Sequence, residues 1–188
     1  MRGVSCARLH DPRELRYSRR MNDASIVAAS LADIPVVQRL AHVIWHRHYP
    51  AIIPGAQIDY MLERGYSDAA LAHFLDAPGA GLALATVDKQ PVGFAAWCEG
   101  DGARTTKLDK LYVLHDWHRH GLGRRLIAHV ERQARANGSD TLVLNVNKRN
   151  LSSIEAYRHC GFSLREAVVV DIGHGFVMDD YVMAKRLD

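Results

Sequence analysis

Residues 108 to 127, LDKLYVLHDWHRHGLGRRLI, constrain this chain more than any other stretch. An apolar, β-branched and aromatic run ending at Leu114 reads as a buried strand. A polar turn from His115 to His120 follows, then Gly121-Leu122-Gly123 and an amphipathic helix. Its apolar stripe is Leu122, Leu126, Ile127, Val130 and Ala134. Glycine between a strand and a helix lets backbone N–H groups approach a ligand with no Cβ in the way. Those N–H groups are also the unpaired donors of the helix's first turn, where the helix dipole adds positive charge. With Arg119, Arg124 and Arg125 alongside, the turn is suited to hold a pyrophosphate.

Two nucleotide-binding patterns do not fit. A dinucleotide fingerprint wants a third glycine, and Leu126 stands there. It also wants an acid ending the next strand, which here ends in Asn145-Val146-Asn147. The Gly-Lys-Ser/Thr of a phosphate-binding P-loop is absent. The run His118-Arg119-His120-Gly121-Leu122-Gly123 does resemble the pyrophosphate motif of the GNAT acyl-CoA-dependent N-acyltransferases, Gln/Arg-x-x-Gly-x-Gly/Ala. A second block, Asn150-Leu-Ser-Ser153-Ile-Glu-Ala-Tyr157-Arg-His-Cys-Gly161-Phe162, resembles that family's Asn-x-x-Ala-x-x-x-Tyr-x-x-x-Gly-Phe. The departures are His118 for Gln/Arg, Arg119 where relatives often carry Gly, and Ser153 for Ala. Because the loop binds mostly through backbone amides, the His118 and Arg119 departures are expected to tune affinity rather than abolish it. The resemblance covers most of residues 24 to 188.

Composition narrows the setting. A chain of 188 residues with ordinary apolar and charged fractions is expected to fold as one domain, residues 23 to 188. No apolar run approaches a membrane span. Residues 1 to 20 carry six arginines against two acids, whereas the remainder carries 18 basic and 19 acidic residues. The body therefore offers no bulk charge for nucleic acid or an anionic membrane. Three cysteines (Cys6, Cys98, Cys160) with no CxxC pair indicate free thiols and a cytoplasmic setting. Residues 1 to 22 lack the apolar core of a signal peptide and read as a disordered extension. Met21, just ahead of the first strand, is a candidate translation start.

In chain order, Ala24 to Ser30 reads as a strand, with Ser30 capping a helix from Leu31 to Tyr49. Gln57 to Arg64 and Ser67 to Leu75 read as two short helices. Leu82 to Val87 and Val92 to Cys98 form a hairpin across Asp88-Lys89-Gln90-Pro91. A long strand, Thr105 to Leu114, leads into the glycine turn. After its helix, ended by Gly138, come a strand (Thr141 to Val146), a helix (Ser152 to His159) and a hairpin over Arg165 to Arg186. The class is α/β with a mixed, mostly antiparallel sheet. The resemblance implies the GNAT fold, with helices on both faces and two central strands splayed to admit the pantetheine arm of coenzyme A.

The same resemblance implies the chemistry: acetyl transfer from acetyl-CoA, a co-substrate, to an amine, with no metal. Backbone groups of Leu111, Tyr112 and Val113 would pair with pantetheine, and the Val113 N–H would polarise the acetyl carbonyl. Amides from Arg119 through His120, Gly121, Leu122 and Gly123 to Arg124, beside His118, would hold the pyrophosphate. Asn150 would bond the pantetheine arm, with Ser153 one turn on. Tyr157 is the candidate acid for the departing thiolate. Asp109 is the candidate base, or else a strand-edge carboxylate paired with Lys107 or Lys110; Glu99 and His115 are alternatives. Histidines 115, 118 and 120 read as solvated, phosphate-facing groups rather than metal ligands.

For the acceptor, Asp171, Asp179 and Asp180 of the final hairpin, with Asp59 and Glu63, could make an electronegative entrance for a cationic amine, with Tyr60 and Tyr66 as further wall candidates. The final segment, IGHGFVMDDYVMAKRL, resembles the end of bacterial small-amine and polyamine acetyltransferases. A small-molecule amine is the first expectation, and a peptide or protein N-terminus, as in ribosomal-protein acetyltransferases, the second. A closed pocket between the Gln57 helix and the last hairpin favours the first, and an open trench the second. A non-catalytic CoA-binding module is the reading of another class. A homodimer stays open as the assembly.

Overall fold

The computed structural model describes residues 24 to 188. The N-terminal extension, Cys6 and Met21 lie outside the described residues. Seven strands and five helices follow in the order β1 (Ser25–Ala28), α1 (Ile34–His48), α2 (Gly55–Gly65), α3 (Asp68–Asp76), β2 (Gly81–Val87), β3 (Gln90–Glu99), β4 (Thr105–Val113), α4 (Leu122–Ala136), β5 (Thr141–Asn147), α5 (Leu151–His159), β6 (Ser163–Gly173) and β7 (Phe176–Arg186). Short 3-10 turns cover Leu31–Asp33 and His115–Trp117.

Local chemistry explains most boundaries. Ser30 does not cap α1 directly; the Asp33 carboxylate accepts from both the Ser30 amide and its hydroxyl, each at 2.8 Å. This closes the 3-10 turn and lets Pro35 enter the first turn of α1, where its missing N–H costs nothing. Ser67 caps α3 by accepting from the Ala70 amide at 3.2 Å. Between β2 and β3, Asp88 and Lys89 both take positive φ, 50° and 63°. That turn has the twist which matches two paired strands, so β3 starts at Gln90, earlier than the sequence suggests. The last hairpin turns the same way through His174 and Gly175.

One sheet holds every strand, in the order β1-β2-β3-β4-β5-β7-β6. All pairings are antiparallel except β4 with β5. Strand alternation sends Ala83, Ala85, Ala95 and Trp97 to one face, against Leu122, Leu126, Ile127 and Val130 of α4 and Ile154 of α5. Leu82, Leu84, Phe94 and Ala96 go to the other, against Val37, Ala41 and Ile44 of α1, Ile58 of α2 and Leu71 and Phe74 of α3.

Strands β4 and β5 pair only at Thr105–Thr141, Thr106–Leu142 and Lys107–Val143, then part. The cause is local. Across β3, Ala96 pairs with Lys110 but Trp97 with Leu108, so Asp109 is an extra residue with no partner opposite. A bulge bends its strand and sharpens its twist, and this one stands two residues past the last β4–β5 pair.

Leu126 is fully buried, while Val169 on β6 is 66% exposed. Leu126→Ala is expected to cost about 2–5 kcal/mol in chemical denaturation, and Val169→Ala to stay within about 0.5 kcal/mol.

Candidate active site

Past the bulge, the inner edge of β4 loses its neighbour. Leu114 donates to the Val92 carbonyl at 2.8 Å, and Gly93 is opposite Val113. Alternation then directs the backbone of Tyr112 toward β3, and those of Leu111 and Val113 toward the gap. Two of the three backbone positions expected to meet pantetheine therefore face the gap, and Tyr112 contributes its ring instead. The Val113 carbonyl accepts from His118 Nε2 at 2.8 Å, so its N–H is the group left for a ligand.

At the head of α4, Gly121 has φ +78° and Arg119 φ +65°. Arg119 thus holds the left-handed conformation that glycine adopts freely, which explains the physical sense of glycine at that place in related motifs. A Cβ on Gly121 or Gly123 would meet nothing within 4 Å. Gly123, with no positive φ, is needed neither for backbone nor for internal packing. Leu122 between them is buried in the core and offers only its amide. The first helical bond is Arg125 N–H to the Gly121 carbonyl, so the amides of Leu122, Gly123 and Arg124 have no acceptor within the helix. The turn and the bare β4 edge fit a ligand with a diphosphate at one end and an amide-bearing arm at the other.

The gap opens into a cavity of about 460 Å³. Asn150, Ser153 and Tyr157 line it from the α5 side. Asn150 is 4% exposed, and its Oδ1 accepts from the Ser153 amide at 3.4 Å and bonds His48 Nε2 at 3.2 Å. Burial holds His48 below its usual pKa, aided by His118 and His115 and opposed by the Asn150 bond. Tyr157 packs its ring at 5.8 Å from Phe162. Burial raises its pKa, helped by Tyr49 and Cys160, so the phenol keeps its proton throughout the neutral range.

Across the cavity, Asp109 is 3.1 Å from Lys107 Nζ and 2.8 Å from Lys110 Nζ. Burial alone would raise its pKa; the two lysines more than reverse that and hold it below the usual carboxylate range. The paired-carboxylate alternative is thus what its contacts display. The bulge also breaks the alternation that would have put Asp109 on one face with Leu111. Glu99 and His115 are outside the cavity wall.

Of the five acids expected at the acceptor entrance, Asp180 lines the cavity, and Asp171 instead accepts from the Gly173 amide in the β6–β7 turn. Asp59 lies on the solvent side of α2, 3.1 Å from His46 Nε2, because the helix buries Gln57 and Ile58 instead. Glu63 is exposed on the same helix. Asp179 points outward onto Lys148, and its neighbour Asp180 therefore points inward. Asp180 is 2% exposed, with Oδ1 lacking a hydrogen-bond partner among the described residues. Burial, then the charge of Asp179, pushes its pKa up to about 6 against the pull of Lys107 and Lys148.

Sequence reading missed the aromatic wall. Tyr49, Tyr66 and Tyr112 line the cavity, with Tyr49 Oη 3.5 Å from Tyr112 Oη and Tyr66 Oη accepting from Trp45 Nε1 at 3.1 Å. Lys110 Nζ lies 4.8 Å from the centre of the Tyr66 ring, a cation–π contact. Tyr66 was visible as a wall candidate; Tyr49 and Tyr112 carry no local signal beyond apolar periodicity. Tyr60 faces the hairpin, donating to the Ile172 carbonyl, and Gln57 donates to the Val177 carbonyl at 2.8 Å.

Among the described residues no group of three or more His, Cys, Asp or Glu converges to hold a metal ion. Cys98 and Cys160 are free thiols. No helix there is long and apolar enough to cross a membrane.

A family model described as the acetyltransferase (GNAT) family matches residues 42–162, more than half the chain. The protein therefore belongs to the GNAT acetyltransferase family and is an acyltransferase. No curated protein matches its sequence. Among solved structures, the PaiA N-acetyltransferase of Thermoplasma acidophilum, in complex with coenzyme A, superposes with a TM-score of 0.74 at 20% identity, covering 87% of this chain and 98% of that one. YncA of Salmonella typhimurium, with its cofactor acetyl-CoA, gives 0.62 at 21% identity over 89% and 95%. The ribosomal-protein-S18-alanine N-acetyltransferase of Escherichia coli gives 0.65 at 19% over 88% and 94%. At these identities the likeness is one of fold.

The raised pKa of Asp180 has a sign that can be checked. Its folded-state pKa exceeds the unfolded one, so it stabilises the fold fully below the unfolded pKa, and that stability is lost as pH rises through about 6. Asp180→Asn removes the buried charge. It is expected to raise unfolding free energy at pH 7.5 by roughly 1–3 kcal/mol, with little change at pH 4, measured by urea denaturation at both values.

Proposed function

We propose that this enzyme transfers the acetyl group of acetyl-CoA to the primary amine of a small molecule. The observation that carries this reading is the closure of the acceptor side. Helix α2 is tied to the β6–β7 hairpin by Gln57 on Val177 and by Tyr60 and Arg64 on Ile172. A trench able to take a peptide would have to run between those elements. The peptide N-terminus remains the second reading, favoured only by likeness to a ribosomal-protein acetyltransferase. Opposing a non-catalytic CoA-binding module, the cavity carries a protonated phenol and a buried carboxylate beside the coenzyme slot.

Each residue's work follows from its place. The amides of Leu122, Gly123 and Arg124 take the pyrophosphate, with the helix dipole behind them. The gap-facing backbone of Leu111 pairs with the pantetheine amides as a strand would. The Val113 N–H stands where it can donate to the acetyl carbonyl as negative charge develops on its oxygen. Asn150 has Oδ1 engaged at the helix cap, which leaves its NH₂ for the arm. Tyr157 gives its proton to the departing thiolate. Its raised pKa keeps that proton in place until a base as strong as a poorly solvated thiolate forms. The aromatic wall of Tyr49, Tyr66 and Tyr112 provides a dry, π-rich seat for a cationic chain.

Thiol release from acetyl-CoA, followed over polyamines, amino acids, aminoglycosides and short peptides, tests the assignment. Turnover is expected on small amines; turnover confined to peptides would favour the second reading, and binding without turnover the module. With an active amine in hand, Tyr157→Phe is expected to lower kcat by roughly 10² with KM little changed. An unaltered kcat would remove Tyr157 from the mechanism.

A further inference from the structure

An acetyl transfer to an amine that enters as an ammonium needs a group to take its proton, and the sequence pattern pointed to Asp109. That carboxylate has both oxygens committed to lysines. Asp180 differs in every relevant respect. It is the one fully buried carboxylate among the described residues, and its Oδ1 is unpartnered. An unpaired buried acceptor is costly, and such groups concentrate where a site uses them. Its position is fixed by the sheet. Asp180 is opposite Asn147 at the open end of β5 and opposite Val168 of β6.

The charged and titratable groups around it come from four places. Asp179 precedes it on β7, Lys148 stands on the turn after β5, Lys107 on β4, and Tyr49 at the end of α1. Lys148 is engaged with Asp179 and Lys107 with Asp109, so both act on Asp180 at a distance. Tyr49 is in electrostatic reach of both Asp180 and Tyr157. Acid and carboxylate thus line the same cavity as the aromatic seat.

We infer that Asp180 is the proton acceptor of the reaction: the acceptor's ammonium docks on its carboxylate, which lines the cavity, and passes a proton to it. This rests on reading the protein as an amine acetyltransferase. The freed lone pair on nitrogen forms the N–C bond at the thioester carbonyl, and the C–S bond breaks with its electron pair going to sulfur. The thiolate takes the Tyr157 proton. The proton that nitrogen sheds on becoming an amide restores the phenol, and the one on Asp180 leaves to solvent. Ammonium and acetyl-CoA thus give amide, free thiol and one released proton. An Asp180 pKa of about 6 matches a base that must be ionised, yet able to hold a proton, near neutral pH.

The test compares Asp180→Asn with the parent enzyme on two acceptors at pH 7: putrescine, an alkylammonium there, and hydroxylamine, already neutral. Putrescine acetylation is expected to fall about 10²–10³-fold, while hydroxylamine acetylation stays within about threefold, since it needs no base. The acidic limb of kcat/KM near pH 6 should vanish in the variant. Equal losses on both amines, or a retained limb, would overturn the inference. A parent enzyme that acetylates neither amine counts against the acetyltransferase reading instead. In that event ¹³C titration of the Asp180 carboxyl in the CoA-bound enzyme reads the base on its own. A midpoint near 6 upholds it, and one near the ordinary value of about 4 overturns it.

Discussion

The parting of β4 from β5 is the constraint on which the rest depends. Three residue pairs hold the two strands together, ending at Lys107–Val143. Had the ladder continued, Leu111 and Val113 would spend their amides on β5, and no cavity would exist between the two halves of the sheet. The bulge at Asp109 is the local agent. Its carboxylate and the two lysines that flank it hold the irregular turn of strand in place, and Lys110 is further anchored over Tyr66 and Phe74. An acid that the chain's pattern offers as catalytic is thereby better understood as part of the device that opens the site.

Much of this was legible in the sequence because the signals were periodic or steric. The stripe from Leu122 to Ala134 forms the buried face of α4 residue for residue. Gly121 stands at the turn that opens α4, with no Cβ between its neighbours' amides and the open side. The bulge was not legible: LDKLYV reads as an unbroken strand in either register, and only pairing with β3 reveals the surplus residue. Asp179 and Asp180 illustrate the same limit. They are adjacent acids with identical composition cues, and the register of β7 alone sends one to Lys148 and the other into the cavity. Asp59 and Glu63 stand off the cavity wall because the face that α2 buries is set by its docking on the hairpin, through Gln57 and Tyr60, contacts more than 100 residues apart in sequence.

The cavity also brings stability and chemistry into opposition. A buried, unpaired carboxylate costs the fold stability, yet in the proposed mechanism it is the proton acceptor, lining one cavity with the Tyr157 phenol proposed as donor. The rings also serve the core: Tyr66 belongs to one apolar cluster, with Tyr49 and Tyr112 packed against it, and Tyr157 packs against the other, whereas Asp180 belongs to neither.

Amide hydrogen exchange with and without coenzyme A measures the central claim most directly, since it reads the backbone groups themselves. Binding at the parted strands should slow exchange at Leu111 and Val113 of β4 and at Leu122, Gly123 and Arg124 of α4, leaving the Tyr112 amide, bonded to β3, unaffected. Protection confined to other parts of the chain, with those five amides exchanging as before, would contradict the account.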